Sequence, residues 1–282
     1  EGLAPTPDPE PEARSRPWTA PVALIAALFA SLLGGLLVIA VAAATGARTS
    51  PQPPVVNLVS TVIQDLCFIG AALVFAALVA RPRPWHFGLR PPPARLKAAG
   101  WTVVTFVAFL VFSAVWIKGL GLEHEKETLP EKLGAKDSDA ALVAVAFLVC
   151  VLAPLAEEFF FRGFFFRAIV NWHGVWPAAI ITGVVFGGIH ASGSPVGFLV
   201  PLAFLGFALC GLYAFTRSLV PCIVVHCVNN SIAYGGAVGW TWQIPVAAVS
   251  ALAVLGAILL VVRRIAGAPP APAPPLAAAQ PA

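Results

Sequence analysis

The chain has 282 residues, 59% of them hydrophobic and only 11% charged, with a formal net charge of +4. A soluble globular domain carries about 25% charged residues, so a soluble fold is excluded. Long apolar runs recur along the whole length, and short alternating strands are absent. An all-α polytopic membrane protein is expected and a β-barrel is not. No nucleic-acid partner is expected.

Residues 1–17 are polar and Pro-rich and read as a disordered tail. The chain begins at Glu1 and contains no methionine, so a trimmed natural start is expected. Eight transmembrane segments follow, roughly Pro21–Ala44, Val55–Ala80, Ala98–Trp116, Ala140–Phe166, Pro177–Ala191, Val196–Phe215, Leu219–Tyr234 and Ile244–Val262. The first apolar run is longer than the roughly 7–15 residues of a signal-peptide core. Residues 18–139 hold three segments, 140–235 a core of segments four to seven, and 236–267 the last segment. Residues 268–282 are a Pro/Ala-rich tail. Pro177 and Pro221 suit the first turns of segments five and seven, where a missing N–H does no harm. The eight tryptophans fall near segment ends, as interface anchors do.

Basic residues set the expected orientation. Arg14 and Arg16, Arg81, Arg83, Arg90, Arg95, Lys97, Arg167, Arg217, Arg263 and Arg264 share one side if both termini are cytoplasmic. The other side carries Arg48 and the loop from Gly119 to Asp139. That loop holds six acids (Glu123, Glu125, Glu127, Glu131, Asp137, Asp139) and three lysines (Lys126, Lys132, Lys136). A multi-pass protein of the cell membrane is expected. No internal repeat is visible, unlike many transporters.

Few strongly polar residues remain inside the segments: Asp65, Glu157, Glu158, Arg162, His190, His226, Asn229 and Asn230. A buried charge in lipid is costly unless it is paired or does chemistry. Glu158 and Arg162 are one helical turn apart and can form an internal ion pair. Glu157 points about 100° away with Phe161 at i+4, which leaves it free for chemistry. The alternative is that both glutamates share Arg162 and only stabilise the bundle. Two histidines on two helices and a free glutamate on a third suit a bundle metal site. Counted at about 1.5 Å per residue, the three groups lie some 14–20 Å from the basic ends of their helices. They can therefore meet at similar depth, reached from the cytoplasm. The chemistry that fits is attack by water on a carbonyl. Glu157 would act as general base, the histidines would hold a metal, and Asn230 would donate to the oxyanion. The soluble zinc-protease signature His-Glu-x-x-His is absent.

Three motifs occur in order: Glu157-Glu158-x-x-x-Arg162, Phe186-x-x-x-His190 and His226-x-x-x-Asn230. With them the chain resembles the CPBP family of intramembrane proteases, the type II CAAX prenyl proteases and bacteriocin-processing, lysostaphin-resistance-like enzymes. The resemblance covers about Ala140–Tyr234. It implies that Glu157, His190 and His226 are catalytic, that Asn230 helps position the water, and that Glu158 pairs with Arg162. It implies metal dependence, with zinc or another divalent ion held by His190, His226 and Glu157. Asparagine is a poor zinc ligand, so water activated by glutamate without a tight metal stays open. It also implies a membrane-associated protein or peptide substrate, CAAX-type or otherwise lipidated. A non-proteolytic immunity or adaptor protein and a proton-coupled transporter are the rival readings.

Three further readings concern packing. The phenylalanines Phe159, Phe160, Phe161, Phe164, Phe165 and Phe166 either pack the bundle or face an apolar substrate. Cys67, Cys150, Cys210, Cys222 and Cys227 read as small core residues. Asp65 reads as a hydrogen-bonded packing residue, with a place in the catalytic cavity as the other possibility, and His86, His124 and His173 read as solvated loop residues.

Overall fold

A computed structural model describes residues 16–47 and 50–267. Arg14, Arg48, the expected tail at 268–282 and most of the one at 1–17 lie outside the described residues. The fold is all-α, with no strand among the described residues. Eight helices are long and apolar enough to cross a membrane, which makes this a polytopic membrane protein. They are α1 (Thr19–Ala44), α2 (Pro54–Ala77), α3 (Arg95–Gly119), α4 (Asp139–His173), α5 (Val175–Ile189), α6 (Leu199–Thr216), α7 (Leu219–Val238) and α8 (Gln243–Ala266).

The helix ends follow local chemistry. Ser138 and Ser218 cap α4 and α7, each accepting a backbone N–H in the first turn. Pro177 and Pro221 are the third residues of α5 and α7, among the N–H positions that a helix leaves unpaired in any case. Gly239 closes α7 with φ of 80°, a left-handed geometry natural to glycine.

α4 runs on to His173, seven residues beyond the expected end at Phe166. His173 is therefore the last residue of a helix, with its ring stacked on Trp172 at 4.2 Å. The helix is not uniform. π-helical turns at Leu148–Leu152 and Phe161–Phe165 bracket the α-helical stretch Ala153–Phe160, which carries both glutamates. Pro154 supplies no N–H and crowds the carbonyl four residues back. A wider turn just before it relieves that conflict, and such turns recur at functional sites.

α5 and α6 pack backbone to backbone. A Cβ on Gly206 would sit 2.9 Å from the Gly183 Cα, and one on Gly187 would sit 2.6 Å from the Leu199 carbonyl oxygen. Small residues allow this approach, which drives helix association in lipid. α7 is the most enclosed helix, with 56% of its membrane window buried against 11% for each of α1, α3 and α8. The helices expected to carry the site thus form the centre of the bundle, and the motif-free ones mostly form its rim.

The two ends of the bundle are tied separately. At the basic end, the Leu219 N–H donates to the Gly88 carbonyl at 2.8 Å and the Arg90 Nε donates to the Arg217 carbonyl at 3.2 Å. At the acidic end, the Trp116 Nε1 donates to the Gly197 carbonyl and the Asn57 amide to the Lys132 carbonyl, both at 2.9 Å. Between them the six phenylalanines from Phe159 to Phe166 on α4 are buried. Phe159 stacks on Phe87 at 4.2 Å and Phe160 meets Phe68 at 5.0 Å. These rings pack the bundle. Four cysteines are buried and Cys67 half-buried, all five as free thiols, in keeping with small core residues.

Candidate active site

The polar residues of α4, α5 and α7 converge. Glu158 and Arg162 pair at 2.7 Å with both side chains fully buried. Arg162 also donates to the Gly206 carbonyl at 2.9 Å and lies over the Phe186 ring at 4.6 Å. An isolated buried charge would cost several kcal/mol. Here the guanidinium meets a carboxylate, a carbonyl and a π-face. The close α5–α6 packing brings both Phe186 and the Gly206 carbonyl within its reach.

Glu158 does a second thing that its place in sequence does not reveal. The same oxygen that holds Arg162 accepts a hydrogen bond from His226 Nδ1 at 2.8 Å. His190 Nδ1 likewise donates to the Phe186 carbonyl at 2.7 Å. Both imidazoles therefore carry a proton on Nδ1, and a neutral ring then presents a bare lone pair at Nε2. Each Nε2 lies 3.9 Å from the same Glu157 oxygen, Oε2. That oxygen is buried and has no hydrogen-bond partner. One small species at about 2.8 Å from all three atoms would fit between them.

The count of donors matters. Three lone-pair acceptors face one point, and a water has two hydrogens to give. A proton on one of the three groups, or a cation, completes the set. The trio also suits a divalent ion chemically: two imidazoles and a carboxylate oxygen, each imidazole oriented through Nδ1 by an oxygen acceptor as metal-binding histidines are. Among the described residues no three His, Cys, Asp or Glu side chains are drawn into a formed metal cage. The 3.9 Å separations are those of groups around a gap.

Asn230 lies one turn beyond His226. Its amide donates to the Val149 carbonyl at 2.9 Å, inside the first π-helical turn, and its oxygen accepts from Asn229 at 3.2 Å. A primary amide has two N–H donors, so one remains for a bound group. His190 stands where α5 ends. The α-helical part has 15 residues, and a 3₁₀ turn, His190–Ser192, carries the span on to Ser192. The chain changes from α-helix to this tighter turn at the cavity wall.

Glu157, His190, His226 and Asn230 share a chamber of about 870 Å³. Asp65 lines it too, buried and with Oδ2 unpartnered, so the cavity position is the one realised. The chamber is lined from Leu28 onward on α1, up to Asp65 on α2, and from His226 to Tyr234 on α7. Gln52, Glu127, Lys132 and Ser194, on the connections at the acidic end, complete it. None of the residues between Leu78 and Arg95 or between Phe159 and Trp176 lines it. The lining of the chamber therefore reaches the connections at the acidic end. The buried phenylalanines Phe159–Phe161 and Phe164–Phe166 fill the space on the basic side of Glu157.

Sequence reasoning also misses the His226–Glu158 bond, because 68 residues separate the partners. The polar residues at three- and four-residue spacing on α2 (Asn57, Thr61, Gln64) are the available signal for a hydrophilic chamber wall.

No curated protein and no solved structure matches this chain. Residues 139–232 match the family model described as type II CAAX prenyl endopeptidase Rce1-like. That segment is a third of the chain and contains all three motifs, and at the level of the family it implies a protease. The match is consistent with a CPBP family protease, the family that the motifs resemble.

Proposed function

We propose that this chain is an intramembrane endopeptidase that hydrolyses a peptide bond of a membrane-associated protein or peptide, of the CAAX type or otherwise lipidated. The observation that carries this reading is the convergence of Glu157 Oε2 with both histidine Nε2 atoms at 3.9 Å in a chamber within the bundle. Water bound there gives a proton to Glu157 while its oxygen attacks the scissile carbonyl carbon. His190 and His226 hold the water, and Glu158 and the Phe186 carbonyl hold the histidines. The free N–H of Asn230 donates to the oxyanion as it forms. When the tetrahedral species collapses, the C–N bond breaks and the proton on Glu157 passes to the leaving amine.

A divalent ion is the second reading, favoured by the three converging acceptors. His190, His226 and Glu157 would hold it, and it would polarise the carbonyl and acidify the water. The residue roles are otherwise the same.

The test is purified protein in liposomes with a peptide library, comparing wild type with Glu157→Ala and His226→Ala. Cleavage by wild type alone supports the assignment, and equal cleavage by all three overturns it. Loss of cleavage on chelation, restored by a divalent ion, selects the metal reading. An adaptor would keep its cellular role as Glu157→Gln. A transporter would show flux driven by a proton gradient, without cleavage.

A further inference from the structure

Glu157, His190, His226 and Asn230 serve only the carbonyl half of a peptide bond. Asn230 keeps one N–H for the carbonyl oxygen, and the water stands between Glu157 and the histidines. A trans peptide carries its N–H on the side opposite its carbonyl. At membrane depth an N–H without an acceptor is costly, so the site needs an acceptor across from Asn230. Asp65 of α2 stands there. α2 and α4 both start at the acidic end and run in the same direction. Phe68 of α2 meets Phe160 and Phe161 of α4 at 5.0 and 5.8 Å. Asp65 lies three residues before Phe68, and Glu157 three residues before Phe160, so the two carboxyls stand at the same height. At about 100° per residue, Glu158 lies to one side of Glu157, where it meets α7 through His226. Phe160 lies about 60° round on the other side, where it meets α2. Glu157 projects between, with α7 and Asn230 on one flank and α2 and Asp65 on the other. Both carboxyls line the chamber. Asp65 is 5% exposed, and its Oδ2 has no hydrogen-bond partner. A buried oxygen left open in this way costs stability until something binds it.

We propose that Asp65 is a substrate-binding residue that accepts the N–H of the scissile peptide bond while Asn230 takes its carbonyl oxygen. This rests on the peptidase reading, and it is the same whether Glu157 alone or a divalent ion activates the water. A carboxyl group keeps an accepting oxygen in either protonation state, so the role does not depend on the charge of Asp65. Gln64 and Thr61 line the same wall, but Gln64 stands about 100° round the helix and Thr61 one turn nearer the acidic end. The contact also sets a preference. A scissile bond whose nitrogen carries no hydrogen, as before proline or an N-methylated residue, cannot make it.

The experiment uses the full chain in liposomes with two probes: a fluorogenic peptide that wild type cleaves, and its depsipeptide, in which an ester oxygen replaces the scissile N–H. The ester cannot donate to Asp65. Water attacks it in the same way, the C–O bond breaks, and the proton on Glu157 passes to the leaving oxygen. Asp65→Leu is expected to lower cleavage of the amide about 10–100-fold and to leave the ester rate near that of wild type. Asp65→Asn keeps an acceptor oxygen of the same shape and should lower the amide rate only several-fold. The ester rate serves as the folding control for each variant, and Asp65→Ala replaces Asp65→Leu if the leucine variant does not insert. Equal loss on amide and ester in variants that insert and melt as wild type does overturns the inference and leaves the peptidase reading standing. An unchanged amide rate in Asp65→Leu does the same. Failure of wild type to cleave any peptide of the library overturns the peptidase reading, and this inference with it.

Discussion

The two halves of the bundle are built differently. Toward the basic end α4 presents a run of buried phenylalanines, and the connections at Gly88–Arg90 and Arg217–Leu219 close the surface with backbone and guanidinium hydrogen bonds. Toward the acidic end the same helices separate around about 870 Å³ lined by both polar and apolar side chains. Glu157 and Glu158 stand at the boundary. Glu158 Oε1 is held by Arg162, itself framed by the Gly206 carbonyl and the Phe186 ring, and Glu157 turns to the hollow half, where its Oε2 faces both histidines. One helical step thus separates a carboxylate used for structure from one available for chemistry.

The contrast can be broken on either side. The largest expected effect is on activity. Glu157→Gln removes the base and should lower peptide cleavage by about 10²–10⁴-fold, with the thermal transition of the purified protein in detergent unchanged. Next is stability. Arg162→Ala strands the buried Glu158 and should cost roughly 3–5 kcal/mol, seen as a lower melting temperature and poor recovery from the membrane. Gly206→Leu drives a side chain into the Gly183 backbone and should also destabilise. An alanine there should lose less than leucine but still push the helices apart, since its Cβ would sit 2.9 Å from the Gly183 Cα. Glu158→Gln sharpens the comparison because it touches both halves: it weakens the ion pair and frees the His226 ring. Cleavage should fall about 10–100-fold, the range for loss of a partner that orients a site histidine. The smallest effect is expected of Asp65→Asn, which replaces an acid by an amide of the same shape at the chamber wall: a change of several-fold in cleavage, with the melting temperature held.

Much of this is legible in the amino-acid sequence alone, for a physical reason. Lipid penalises every polar side chain it contains, so the few that remain within segments four, five and seven have to be paired or functional. The i,i+4 geometry of a helix then pairs Glu158 with Arg162 and leaves Glu157 over. Three things are not legible there. The His226–Glu158 bond joins residues 68 apart, and no local pattern encodes it. The π-helical turns around Ala153–Phe160 arise from how Pro154 and the neighbouring helices are accommodated, which periodicity does not report. The extent of the chamber depends on which half the phenylalanines fill. Composition supplies the rings but not their neighbours, and equal depths along three helices are compatible with opening at either end.

The central claim is that Glu157 is the base of a peptide-hydrolysing site. Its most direct test is the cleavage rate of one fluorogenic peptide, identified from the library, by wild type and Glu157→Gln in the same liposomes. The two proteins should be matched for insertion and thermal stability. The account predicts robust cleavage by wild type and a loss of at least about a hundredfold in the variant. Matched rates for the two proteins would contradict it.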